Sequence, residues 1–214
     1  MSEGALPLRA LAHGARWAPD GSDEAVAAAL AAQLERPGPL TLALPGGSTP
    51  PPILAMARGA DWSRTAVWPT DERILPPGAP PDHPASNAAM LARALAGTGA
   101  RVVPLEAGAV PPGFNLVWVG MGMDGHVASI FPGMTLSDDA MPGVVAVTPD
   151  PLPPEAPFPR LTLTMASLSL APAVWIVARG EAKRTVLAQG DPALPVHRLL
   201  ARAGSRATIF WSQA

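Results

Sequence analysis

Short apolar runs and stretches with helical spacing take turns along this chain. Leu40–Leu44, Thr65–Trp68, Phe114–Val119, Ala173–Ala178 and Ala207–Trp211 are continuous or nearly continuous apolar runs, bounded by Gly, Pro or small polar residues. A brief apolar run between turn residues suits a strand buried on both faces. Arg101–Pro104 and Gly143–Thr148 predict two further brief strands, Leu6–Ala12 an edge strand, and Arg160–Thr164 alternates as an exposed strand does. Between these runs lie the helices. Ser22 is a good N-cap, with Asp23 and Glu24 in the first turn of an Ala-rich helix reaching about Arg36. Pro50, Pro51 and Pro52 fit only the first turn of a helix that continues through Arg58. Ala85–Ala96, Glu181–Gln189 and Val196–Ala203 complete the set. Two segments, 76–84 and 149–159, carry too many prolines for a helix or a central strand. Strands alternating with helices predict an α/β fold, a mostly parallel sheet covered on both faces, with residues 1–214 as a single domain.

Three strand ends carry the candidate chemistry. Leu40–Leu44 runs straight into Pro45-Gly-Gly-Ser-Thr49 and a helix start, which gathers backbone N–H groups and a helix dipole around one place. Gly46, Gly47 and Ser48 are therefore candidates to hold an anion, although a tight turn capped by Ser48 would look the same. Thr65–Trp68 ends in Asp71-Glu-Arg73, either a solvated charge cluster or an Arg placed to clamp an anion bidentately. Phe114–Val119 leads into Gly120-Met-Gly-Met-Asp-Gly125 and then His126. That stretch fits G-x-G-x-x-G, but Pro132 interrupts any following helix and no acid stands about 20 residues on, so a dinucleotide site is not expected. Asp124 and His126 are the best chemical pair: a histidine accepts a proton near neutral pH, and a nearby carboxylate fixes its tautomer. His13, His83 and His197 show no metal-ligand spacing and read as loop or structural residues.

Composition narrows the partners. The chain is 48% hydrophobic and 15% charged, ample for a packed core, and a net charge of −2 gives no reason to expect a nucleic-acid or acidic-membrane surface. No cysteine is present, so thiolate nucleophiles and Cys-based metal sites drop out. No apolar run approaches the roughly 18 residues of a membrane span. Ala25–Leu34 follows an acidic pair rather than a basic stretch, so it does not read as a signal-peptide core, and the cytoplasm is the expected location. Lys183 is the only lysine against fourteen arginines and stands just inside a helix after Gly180. A compact ammonium there could meet a phosphate as a point charge. Arg160 is a weaker candidate of the same kind.

Six segments in register carry a family resemblance: PGGSTP at 45–50, WPTDER at 68–73, Ser86-Asn87, GMGMDGHVASIFPG at 120–133, RLTLT at 160–164 and Gly180-Glu-Ala-Lys183. Together they resemble the 6-phosphogluconolactonases, relatives of glucosamine-6-phosphate deaminase. The DER triplet and the ASIFPG ending are closer to the lactonase branch. The resemblance implies a Rossmann-like three-layer α/β/α fold and hydrolysis of 6-phosphoglucono-δ-lactone in the oxidative pentose phosphate pathway, with no metal and no cofactor. It implies that His126 is the general base, that Asp71 is an active-site carboxylate beside it, and that Arg73, Lys183 and the Gly46-Gly47-Ser48 loop hold the phosphate. Whether Asp71 or Asp124 orients the imidazole stays open, as does oligomeric state. An amino-sugar phosphate deaminase and a catalytically silent sugar-phosphate sensor are the alternatives.

Overall fold

The computed structural model describes residues 12–134, 141–154 and 156–213. The expected edge strand at Leu6–Ala12 falls outside these residues except for Ala12, which opens a short 3-10 turn. In chain order the elements are β1 (Arg16–Trp17), α1 (Asp23–Leu34), β2 (Leu40–Leu44), α2 (Pro50–Met56), β3 (Thr65–Pro69), β4 (Asp71–Arg73), α3 (Asn87–Ala94), β5 (Arg101–Val102), β6 (Leu116–Val119), β7 (Val144–Val147), β8 (Arg160–Leu163), α4 (Met165–Ser169), β9 (Val174–Arg179), α5 (Glu181–Gln189), α6 (Pro195–Ala203) and β10 (Ala207–Ser212). The helix starts follow the local chemistry. The Ser22 hydroxyl accepts the Ala25 N–H at 3.2 Å, and the Ser86 hydroxyl accepts that of Ala89 at 3.1 Å.

Seven strands form a wholly parallel sheet in the order β1-β10-β9-β6-β2-β3-β5. Both faces are covered, so the central strands are largely apolar and send alternate side chains to opposite layers. Leu116 and Trp118 of β6 join the core built with α1, α2 and α3, while Val117 and Val119 join the core built with α4, α5 and α6. This is the expected Rossmann-like three-layer α/β/α arrangement. From β2 the chain proceeds outward to β3 and β5; from β6 it proceeds the other way to β9 and β10. Connections thus diverge between β2 and β6, and the crevice outside the carboxyl ends of such a pair is where open α/β sheets bind ligands.

A second sheet departs from the expectation. β4, β8 and β7 form three antiparallel strands, with Asp71 opposite Thr162 and Arg73 opposite Arg160. Arg160–Thr164, expected to be exposed, is instead mostly buried: Arg160 is 5% exposed, and Thr162 and Leu163 are fully covered. The polar alternation arises because these side chains meet protein partners rather than water: Arg160 meets Asp71 of β4, Thr162 accepts the Ser129 N–H, and Thr164 caps α4.

Candidate active site

The loop after β2 is shaped for an anion. Gly47 has φ +90°, and the backbone N–H groups of Gly46, Gly47, Ser48 and Thr49 donate to no acceptor among the described residues. Unpaired amides gathered in a turn make an anion-binding concavity. The helix behind the loop adds less than the sequence suggests. Pro50, Pro51 and Pro52 occupy its first turn and carry no N–H, so the donors belong to the loop itself.

The loop after β6 presents the histidine. Met121 and Val127 form a bridge, and the Gly122 N–H donates to the His126 carbonyl at 3.0 Å, folding 121–127 back on itself. Within that fold His126 Nδ1 lies 2.7 Å from Asp124 Oδ1, and the same oxygen accepts the His126 backbone N–H at 3.2 Å. A carboxylate only accepts, so Nδ1 bears the proton of this bond, and in the neutral ring the lone pair is then on Nε2. Asp124 therefore orients the imidazole. Asp71 makes no hydrogen bond or ion pair to His126. The His126 ring also packs on Phe131, with centroids 4.5 Å apart. Gly122 makes room for the pair. A Cβ on Gly122 would sit 2.2 Å from both Cε1 and Nδ1 of His126.

β4 supplies the polar wall. The Asp71 carboxylate, 8% exposed, accepts the Ser129 hydroxyl at 2.6 Å and the Asn87 amide at 3.2 Å. It stands 3.9 Å from Arg160 Nη1. Glu72 is a structural anchor: its carboxylate accepts the N–H groups of Asn87 and Ala88, each at 2.8 Å, fastening the start of α3 to β4. Arg73 Nη1 donates to the Ala85 carbonyl at 3.0 Å and to Asn87 Oδ1, while its Nε is buried without a partner. Arg160 donates to the carbonyls of Phe158 and Ala156. Burial, and then the nearby charge of Arg73, push its guanidinium below the ordinary value, with Asp71 and Glu72 pulling it back.

Lys183, in the first turn of α5, is half-buried and makes no hydrogen bond or ion pair among the described residues. Burial first, and Arg179 second, lower its pKa from 10.5. One cavity of about 270 Å³ gathers these groups. Gly46, Gly47, Ser48, Asp71, Arg73, His126, Arg160 and Lys183 line it, and Asp124 stands behind His126. A wider groove of about 1040 Å³ opens on the other side of His126 toward the 147–154 loop. The other histidines lie outside the cavity. His83 Nδ1 accepts the Ala85 N–H at 3.1 Å, and His197 Nε2 is 2.9 Å from the Val186 carbonyl. Asn87 and Ser129 are site residues that residue-by-residue reasoning passed over. The Ser86-Asn87 motif was the available signal for the first, and only tertiary contact reveals the second.

The family model described as glucosamine-6-phosphate isomerases/6-phosphogluconolactonase matches residues 20–111 and 100–210. The 6-phosphogluconolactonase of Rhizobium meliloti (strain 1021) is 35% identical, over 87% of this chain and 90% of its own length. A 6-phosphogluconolactonase structure from Shewanella baltica OS155 superposes with a TM-score of 0.73 at 24% identity, covering 93% of this chain and 97% of that one. A monomeric glucosamine-6-phosphate deaminase reaches the same TM-score of 0.73 at 15% identity, covering 92% and 96%. Both chemistries therefore occur on this fold, and likeness of fold does not choose between them. The sequence matches reach further: the chain belongs to the glucosamine-6-phosphate isomerase/6-phosphogluconolactonase family.

Proposed function

We propose that this chain hydrolyses 6-phospho-D-glucono-1,5-lactone to 6-phospho-D-gluconate, as a carboxylic ester hydrolase of the oxidative pentose phosphate pathway. The observation that carries the reading is the Asp124–His126 pair, set 2.7 Å apart at the edge of a cavity that also holds Arg73, Arg160, Lys183 and a loop of unpaired amides. A base beside a cationic pocket suits a neutral ester tethered to a phosphate. The curated relative from Rhizobium meliloti carries that enzyme's name.

In the scheme, the phosphate sits among Lys183, Arg73 and the amides of Gly46, Gly47 and Ser48, with Arg160 adding positive potential behind them. That anchor presents the lactone carbonyl to His126. Nε2 takes a proton from water as its oxygen adds to the carbonyl, and Asp124 steadies the imidazolium that forms. The tetrahedral intermediate collapses with departure of the ring oxygen, which receives the proton from His126. General-base help of this kind contributes about 10²–10⁴-fold. Asp71 shapes the wall through Ser129, Asn87 and Arg160. The reading takes residues 1–214 as one domain, acting in the cytoplasm on a small phosphorylated lactone and on neither nucleic acid nor membrane.

The test is purified protein with freshly generated 6-phosphogluconolactone, following 6-phosphogluconate through its dehydrogenase. Release well above the spontaneous rate supports the reading. Background release, with ammonia formed instead from glucosamine 6-phosphate, would replace it with the deaminase reaction. Thermal stabilisation by sugar phosphates with no turnover of either would leave a sensor.

A further inference from the structure

Asp71 and Arg73 lie two residues apart on β4, line the same cavity and carry opposite charges, yet they do not pair. Asp71 has its ion pair with Arg160, at 3.9 Å. What stands between Asp71 and Arg73 is the amide of Asn87, 2% exposed. Its Nδ2 donates to the Asp71 carbonyl at 2.7 Å and to Asp71 Oδ1 at 3.2 Å, while its Oδ1 accepts from Arg73 Nη1. The opposite orientation of the amide would set its NH₂ against the guanidinium and its oxygen against the carboxylate, so the two charges fix which way it points. The same group abuts the anion loop: a Cβ on Gly46 would fall 1.9 Å from Asn87 Oδ1.

We propose that Asn87 is a positioning residue, a neutral spacer that keeps the Arg73 guanidinium from collapsing onto Asp71 and so leaves its charge free for the substrate's phosphate. This rests on the reading of Arg73 as a phosphate ligand. Opposite charges in a partly desolvated site attract far more strongly than in water, and Arg73 already has a buried Nε without a partner. With the amide removed, Asp71, two residues away on β4 and no longer held by Asn87 Nδ2, is left able to satisfy the guanidinium, whereas the Glu72 carboxylate stays engaged by the amides of α3. A paired Arg73 would still fill its space but would present little charge to the cavity.

The experiment compares wild type, Asn87→Ala, Asn87→Asp and the double variant Asn87→Ala/Asp71→Asn. It measures kcat and KM for 6-phosphogluconolactone and, by calorimetry, the affinity for 6-phosphogluconate. Asn87→Ala should raise KM roughly tenfold or more while kcat stays within about threefold, the scale of losing a hydrogen bond to a charged group. The double variant should regain 6-phosphogluconate affinity, because Arg73 then has no carboxylate to fall onto. A structural role at the start of α3 would give no such recovery. An unchanged KM in Asn87→Ala, a loss confined to kcat, or a double variant that binds no better than the single one each overturns the proposal. If Asn87→Ala fails to fold, the near-isosteric Asn87→Asp decides. It neutralises Arg73 directly and should weaken 6-phosphogluconate binding by a similar factor; unaltered affinity overturns the proposal. A wild type without lactone turnover would instead remove the functional reading, whereas an active wild type with an unaffected Asn87→Ala would remove only this role.

Discussion

Replacing Gly122 with alanine tests the Asp124–His126 geometry with one methyl group. Gly122 does not have a left-handed backbone, so alanine brings no conformational strain of its own. The effect is steric and aimed at the pair: the new carbon would lie 2.2 Å from His126 Cε1 and Nδ1 and 2.5 Å from Asp124 Oδ1. Non-bonded heavy atoms settle at about 3.5–4.0 Å, so the ring must retreat by more than an ångström. It cannot do so and keep both the 2.7 Å bond to Asp124 and its contact with Phe131. Misplacing a catalytic group by 1 Å costs about 10²-fold, and the whole general-base contribution is about 10²–10⁴-fold. We therefore expect kcat to fall about 10²–10³-fold, or roughly 3–4 kcal/mol of barrier. The fold should tolerate the change, because the His126 and Asp124 side chains are 31% and 50% exposed and can swing toward solvent. The assay is lactone turnover coupled to 6-phosphogluconate dehydrogenase, with Tm measured in parallel. On a His126→Ala background the same methyl should cost almost nothing more, since the group it displaces is gone. A kcat within about threefold of wild type, at normal Tm, would refute the claim that this pair must be held as the structure holds it.

Two other changes separate binding from stability. Lys183→Ala should raise KM about tenfold or more with little change in kcat, as expected for a charge that meets only the phosphate; an unchanged KM would make Lys183 a surface residue. Its pH signature follows from burial, which lowers its pKa from 10.5. The protonated form binds phosphate, so affinity for 6-phosphogluconate should decline as pH rises through the lowered pKa, earlier than for an exposed lysine. Between that pKa and the unfolded value the unfolded chain binds more protons, so the cost of burying the charge fades there and stability rises with pH. An alkaline decline equally present in Lys183→Ala would assign it to another group. Ser129→Ala removes a fully buried hydroxyl that donates to Asp71 at 2.6 Å. Losing a bond to a charged group costs about 1.5–3 kcal/mol. At 2–4 °C per kcal/mol for a chain of this size, Tm should fall by roughly 3–12 °C, and an unaltered calorimetric Tm would contradict the assigned partner.

What was legible in the sequence depended on how local the signal was. Ser22, the Pro50–Pro52 run and Gly180 mark helix boundaries through their own backbone chemistry, and those boundaries fall within a few residues of expectation. Asp124 and His126 are two residues apart, so their partnership could be suspected from spacing alone. The second sheet could not. β4 is three residues long and reads as a charged turn until β8, nearly ninety residues later, pairs with it. Arg160 and Thr162 look like the outward face of an exposed strand because burying them requires partners, and those partners come from β4 and Ser129. α4 is not legible for a related reason: five residues give too short a period to read, and Thr164 declares itself as an N-cap only once its hydroxyl meets the Ser167 N–H. Glu72 follows the same rule. In sequence it reads as one member of a solvated charge cluster, but its carboxylate is spent on the amides that open α3.

The central claim is that His126 removes a proton from water in the step that opens the lactone. The most direct measurement is kcat for His126→Ala at neutral pH, beside calorimetric affinity for 6-phosphogluconate. The claim requires turnover to fall about 10²–10⁴-fold toward the spontaneous rate while affinity stays within about threefold, because the phosphate is held elsewhere. Turnover within about tenfold of wild type would contradict it and place the base on another group.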